Sequence, residues 1–286
     1  MADQPSLFDD DDLFDGLDAP DDLTITAPPT PSADAPSLFD AGAPPEADLT
    51  VTLPDDRDDP EAVPNDLDGI EGDEARETLF LADAMALAYR AFFSMKNASL
   101  TAPDGTDTRT LYGFATALLK LLEDERPEHI AVVFDAIGGQ PTFRDQLYDD
   151  YKAHRPPMPP EIKSNIPLIK RLVEAFDIPV LEVAGVEADD VIGTLAKRAE
   201  DEGVDAVIFS ADKDFRQLLS DRVSMLRPLY MGEVFNRETP ETFREKYGGL
   251  EPAQFIDLLA LMGDSADNVP GVPGIGEKTA IKLIDE

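Results

Sequence analysis

Three apolar runs in this chain end on an aspartate: TLFLAD (78–83), IAVVFDA (130–136) and DAVIFSAD (205–212). IPVLEV (178–183) is a further apolar run. Between them lie segments with apolar residues at helical spacing: ALAYRAFF, TRTLYGFATALLKLLEDE (108–125), SNIPLIKRLVEAF (164–176) and EADDVIGTLAKRAEDEG, which closes at Gly203. Short apolar runs alternating with amphipathic helices predict an α/β fold, a mostly parallel central sheet flanked by helices. The C-terminal ends of parallel strands share one rim, and open α/β sheets bind ligands there. Asp83, Asp135 and Asp212 should therefore meet on that rim. Glu187, Asp189 and Asp190, where IPVLEV gives way to its helix, should join them.

Taken singly, an aspartate at a strand end is a turn former or a helix N-cap. Its repetition on one rim, beside an E-x-D-D cluster, requires more. Gathered carboxylates repel one another unless a cation neutralises them or their pKa values rise. The chain has no Cys and two His, so disulfides and thiolate ligands are excluded and zinc or haem ligation is disfavoured. Oxygen-only ligands suit a hard cation, Mg²⁺ or Mn²⁺.

The charge is unevenly spread. The net charge of the 286 residues is −36. Residues 1–77 hold 24 acids against two Arg, a charge of −22; the other 209 hold 36 acids against 22 bases, or −14. The first segment, rich in Pro, Asp and Ala, is expected to be a disordered acidic tail, because it cannot bury enough apolar surface to offset its chain entropy. It repeats itself: PSLFD stands at 5–9 and 36–40, and LTIT (23–26) echoes LTVT (49–52). An acidic body with few Lys suggests adaptation to high salt. No run approaches the ~18–20 apolar residues of a membrane span, and the acidic N-terminus lacks the basic start of a secretory signal. A cytoplasmic location is expected.

From Thr78 onward the chain resembles the 5′-nuclease (5′→3′ exonuclease, flap-endonuclease-type) domain of bacterial DNA polymerase I. LFLADAMALAYRAFF, VVFDA…FR, YKAHRPPMP, EADDVIGTLAK, SADKDFRQLLSDRV and GDSADNVPGVPGIGEKTA stand in that family's order over about 209 residues. The resemblance implies a PIN-like 5′-nuclease fold and a site of nine acidic residues holding two Mg²⁺ (or Mn²⁺). Asp83, Asp135, Glu187 and Asp189 would surround one ion. Asp212, Asp214 and Asp267 would hold the second, with Asp190 and Asp264 acting partly through water. Lys152 and Arg155 match positions that reach the scissile phosphate, and Arg90 and Arg144 match positions near it. Phosphodiester hydrolysis with two metals needs no protein nucleophile, and the bases would neutralise transition-state charge.

Residues 148–163, YDDYKAHRPPMPPEIK, read as a flexible arch, since its prolines oppose regular helix and central strand. There Tyr148 and Tyr151 could stack on bases of a single-stranded 5′ end. Residues 78–263 would form the catalytic domain and 264–286 the start of a helix–hairpin–helix type grip on duplex DNA. In that grip Gly271, Gly274 and Gly276 admit phosphates to the backbone, a helix from Glu277 presents free N–H groups, and Lys278 and Lys282 add charge. The chain stops at Glu286 inside the second helix of this element, so a fragment of a longer polymerase is expected. Gln4, Leu7 and Phe8 of QPSLFD resemble the short peptide by which replication proteins dock on the sliding clamp.

The expected function is therefore a metal-dependent nuclease acting on DNA with a 5′ flap, nick or 5′ end, as in primer removal and repair, with no membrane partner. Two other readings stay open. The same rim serves PIN-type endoribonucleases, although these would not need the duplex grip. A non-catalytic junction-binding, clamp-tethering module would be expected to lack some of the carboxylates, and none is missing.

Overall fold

A computed structural model of the chain describes residues 23–26, 76–95, 98–136, 141–229 and 235–285. Five parallel strands form the centre of a seven-stranded sheet. In chain order the strands are β1 (Leu23–Thr26), β2 (Thr78–Asp83), β3 (His129–Asp135), β4 (Val180–Val183), β5 (Asp205–Phe209), β6 (Val223–Pro228) and β7 (Phe235–Glu238). Their spatial order is β1-β4-β3-β2-β5-β6-β7. The edge strands β1 and β7 run antiparallel to their neighbours. The expectation of a mostly parallel sheet holds.

The strands read as unbroken apolar runs because helices cover both faces. Alternate residues point to opposite sides. Leu79, Leu81, Val133 and Ile208 pack with α5 (Ala188–Asp201) and with buried residues of the C-terminal part, Phe243, Phe255 and Leu258. Phe80, Ala82, Val132 and Phe209 pack on the other face with α1 (Ala84–Ser94), α2 (Arg109–Asp124) and α4 (Pro160–Ala175). A short helix, α3 (Phe143–Leu147), lies before the proline-rich stretch.

Three local features differ from the sequence expectation. Leu23–Thr26, within the segment expected to be structureless, pairs with β4, with Leu23 opposite Val183. A Leu-Thr-Ile-Thr stretch has strong β-propensity, and pairing covers an otherwise open sheet edge. The run 205–212 does not stay in the sheet as far as its aspartate. β5 ends at Phe209, and Asp212 instead caps a 3₁₀ turn, Lys213–Leu218. The stretch read as arch is shorter too: α4 starts at Pro160, because proline at the first helical position gives up only an N–H that has no intrahelical partner. The clamp-like residues Gln4, Leu7 and Phe8 lie outside the described residues.

Beyond the sheet come α6 (Pro240–Lys246), α7 (Phe255–Met262), a two-residue ladder of β8 (Gly263–Asp264) with β9 (Val269–Pro270), and α8 (Glu277–Asp285). Among the described residues no helix is long and apolar enough to cross a membrane.

Candidate active site

The rim of the sheet gathers the predicted carboxylates through backbone turns that use the same side chains. Asp83 ends β2 and caps α1, accepting the Ala86 N–H at 3.0 Å. Asp135 ends β3 and accepts the Ala188 N–H at 2.7 Å, which ties that strand to the start of α5. Glu187 caps α5 in a capping box with Asp190, and Asp189 lies in the first turn. Asp212 caps the 3₁₀ turn and accepts the Asp214 N–H at 2.9 Å. Asp83 and Asp212 thus cap a helix and a turn while standing on the rim.

Their electrostatics show that they converge. Burial pushes Asp189 up to about 8, reinforced by the charges of Asp83, Asp212 and Asp135. Asp83 is pushed up to about 6, first by burial, against the stabilising bonds from Ala86 and Ser210. Asp214 is raised to about 6 by burial and then by Asp212. Its Oδ1 is buried and has no hydrogen-bond partner.

Basic residues meet four of the other acids. Arg144 forks onto Asp190 at 2.7 and 2.8 Å and stands 3.6 Å from Glu187. Burial opposes ionisation of Asp190, but the Arg144 bonds prevail and hold its carboxyl below the usual range. Lys152 donates to Glu187 at 2.7 Å, and Arg155 to Asp267 at 2.7 Å. Lys213 pairs with Asp264 at 2.9 Å, which outweighs burial and lowers that carboxyl. The segment 148–155 is also stitched to the 264–268 turn: the Lys152 N–H donates to the Asp267 carbonyl, and Asn268 Nδ2 to the Asp150 carbonyl.

Other predicted residues sit differently from their expected roles. The Tyr151 hydroxyl lies 3.0 Å from Glu187 and 3.2 Å from Asp267, with Lys152 over its ring. The Tyr148 hydroxyl donates to the Asn268 carbonyl. Both tyrosines are therefore engaged within the protein. Arg90 makes none of the rim contacts of Arg144, Lys152 and Arg155. Its Nη2 donates to the Leu229 carbonyl, and burial, with Arg227 nearby, lowers its pKa. Gly271 packs where a Cβ would lie 2.1 Å from the Met262 carbonyl, so its missing side chain serves the fold itself. Gly274 (φ 83°) and Gly276 face open space, and Lys278 and Lys282 are exposed on α8.

Sequence reasoning missed Ser210. Its buried hydroxyl donates to Asp83 at 2.8 Å and accepts the Asp212 N–H at 3.0 Å, joining two of the acids. A serine two residues before an aspartate carries no signal of its own; only the early end of β5 shows it. Lys213, also missed, follows Asp212 directly.

A cleft of about 730 Å³ is lined by Arg144, Tyr151, Glu187, Asp189, Asp214 and Asp267. A second, of about 630 Å³, lies at the opposite end of the sheet, where Arg222–Asp205 and Arg237–Glu125 neutralise one another. Among the described residues, no three acidic side chains close tightly enough on one point to hold an ion as they stand. The basic side chains already occupy four of the carboxylates. The donor set nevertheless fits a hard cation: every group is an oxygen, three carboxyls are pushed toward neutrality, and the Asp214 Oδ1 is an orphan.

The chain is 48% identical over 213 residues to DNA polymerase I of Bacillus subtilis and 47% identical over 213 residues to the thermostable DNA polymerase I of Thermus thermophilus. Each match takes in 74% of this chain, which spans about a quarter of the relatives' length (23% and 24%). In structure it is similar to the bacteriophage T5 D15 protein co-crystallised with metal ions (TM-score 0.59, 22% identity, 73% of this chain and 75% of that one). It is also similar to a variant of the T5 D15 flap endonuclease in a pseudo-enzyme-product complex with DNA and metal ions (TM-score 0.55, 24% identity, 73% and 75%). These two likenesses speak for the fold. The family model "5'-3' exonuclease, C-terminal SAM fold" matches residues 250–286, and "5'-3' exonuclease, N-terminal resolvase-like domain" matches 78–248, more than half of the sequence: the chain belongs to the 5′-3′ exonuclease family.

Proposed function

We propose that this chain hydrolyses phosphodiester bonds in DNA bearing a 5′ end, nick or flap, in a reaction that depends on divalent metal. The observation that carries this reading is the gathering of Asp83, Asp135 and Asp212 around a buried Asp189, whose carboxyl is raised to about 8 by burial first and by those three charges next. A rim so costly to ionise is built to be filled by cations. Asp83, Asp135, Glu187 and Asp189 would hold one Mg²⁺ or Mn²⁺. Asp212, Asp214 and Asp267 would hold a second, with Asp190 and Asp264 bonding its waters. Bound divalent ions would supply an activated water and neutralise charge on the attacked phosphate.

The chain's own residues do the rest. Lys152, Arg155 and Arg144 now pair with carboxylates. Lys152, Arg155 and Arg144 are the side chains that would reach the phosphate and stabilise its developing charge. Tyr151, whose hydroxyl lies between Glu187 and Asp267, holds those two carboxylates in register. Gly274, Gly276, Lys278 and Lys282 offer backbone and charge to duplex phosphates without reading sequence. Gln4, Leu7 and Phe8 would tether the chain to a sliding clamp.

The test is cleavage of a labelled 5′-flap DNA with Mg²⁺, beside Asp212→Ala, Lys152→Ala and a chelator control. Cleavage near the junction is expected, abolished by chelator and by Asp212→Ala and slowed roughly 10²-fold by Lys152→Ala. Cutting of single-stranded RNA in preference to flap DNA would support the endoribonuclease reading instead. Tight flap binding without cleavage would leave the junction-binding one.

A further inference from the structure

We propose that Arg216 and Glu238 are positioning residues that fix Asp214 against Asp212; this rests on the metal-dependent reading above. Asp214 stands on a 3₁₀ turn of six residues, Lys213–Leu218. Such turns have poorer hydrogen-bond geometry than α-helix, so the turn needs other anchors to hold a ligand still. Ser210 and the Asp212 cap fix its entry. Its exit is fixed by Arg216, which is 6% exposed. Arg216 Nε and Nη2 meet the two oxygens of Glu238 at 2.5 and 2.8 Å, and Nη1 donates to the Tyr247 hydroxyl at 3.1 Å. Glu238 belongs to edge strand β7 and also accepts from Arg227 of β6 at 3.1 Å. The guanidinium thus bolts the turn to the sheet two residues after Asp214.

Stability alone is a poor reason for this pair. Replacing a buried ion pair by apolar side chains of similar volume is often neutral or stabilising. What an apolar pair cannot supply is orientation: a planar fork on a carboxylate fixes position and angle together. A ligand set tolerates only about half an ångström of looseness. The Arg216–Glu238 clamp supplies that precision to the carboxylate whose Oδ1 has no protein partner.

The experiment titrates Mn²⁺ into the full chain, reading free Mn²⁺ by electron paramagnetic resonance, with thermal melting alongside. It compares wild type, Arg216→Lys and the double variant Arg216→Met/Glu238→Leu. The double variant is expected to stay folded, melting lower only by what the unpartnered Arg227 and Tyr247 hydroxyl cost, while losing about tenfold or more in Mn²⁺ affinity. Arg216→Lys, which keeps charge but not the fork, should fall between. A folded double variant with wild-type Mn²⁺ affinity overturns the proposal. A loss of affinity that the variant Arg227→Met with Tyr247→Phe reproduces at the same melting temperature assigns the pair to the fold and overturns it too. Should the double variant not fold, an Arg216→Lys protein binding Mn²⁺ as wild type does would be decisive against it. Absence of Mn²⁺ binding in wild type would instead remove the metal reading itself, and this inference with it.

Discussion

The Ser210 hydroxyl stands 2.8 Å from Oδ2 of Asp83, with both residues buried. It also accepts the Asp212 N–H, so one small group links the rim acid that ends β2 to the one that caps the 3₁₀ turn after β5. Ser210→Ala leaves the Asp212 N–H and one Asp83 oxygen without their partner. We expect about 1–3 kcal/mol of lost stability and a roughly 10–100-fold loss of activity at limiting Mg²⁺. Ser210→Thr keeps the hydroxyl and should recover most of it. Cleavage measured across a Mg²⁺ titration decides; an alanine variant with an unshifted curve would deny Ser210 this role.

Without metal, the folded chain should lose stability as pH rises through the neutral range. Asp83 and Asp214 are raised to about 6 and Asp189 to about 8. An acid with a raised folded pKa binds more protons folded than unfolded, so its contribution is full below the unfolded value and fades as pH passes the folded one. The window runs from about 4 to about 8, and Asp189 governs its upper part. Asp190 and Asp264, held low, act oppositely, but only as pH falls below the ordinary carboxylate range. Melting in chelator should give a lower midpoint at about pH 8 than at about pH 6. Asp189→Asn should flatten that slope, and Mg²⁺ should raise the midpoint most at the higher pH. A midpoint that climbs with pH in chelator contradicts this account.

The sheet and its rim were legible because they obey one-dimensional rules. An apolar run ending in aspartate places Asp83 and Asp135 at the edge, and E-x-D-D places Glu187, Asp189 and Asp190 at a helix start. Contacts between distant segments were not legible. Nothing in YKAHRP announces that Lys152 and Arg155 fold back onto Glu187 and Asp267. Nothing in a proline-rich stretch says whether Pro160 forbids a helix or opens one. Gly271 reads as a phosphate cradle in one dimension because its neighbour in space, Met262, lies nine residues away in sequence.

High salt should stabilise this protein. Its net charge of −36 produces self-repulsion that bulk ions screen. Mixed pairs such as Arg144–Asp190 are partly shielded from solvent and weaken less. The thermal midpoint is expected to rise steadily from low ionic strength to molar KCl. A flat or falling midpoint would show that the charge is already balanced locally, and would end the reading of the acidic surface as an adaptation to salt.

Two glycines of the C-terminal element should be separable by their tasks. A Cβ on Gly271 would lie 2.1 Å from the Met262 carbonyl oxygen and 2.5 Å from the Gly263 nitrogen, backbone atoms that cannot swing aside. Gly271→Ala is therefore expected to cost about 3 kcal/mol or more through strain, and to disturb the β8–β9 ladder that carries Asp264. A Cβ on Gly276 meets nothing within 4 Å. Gly276→Ala should melt like wild type, yet weaken duplex binding by crowding the approach of a phosphate to the start of α8. Melting curves and duplex-DNA affinity, measured on both variants, separate the two roles. A Gly276→Ala protein that binds duplex as tightly as wild type would take that glycine out of the DNA contact.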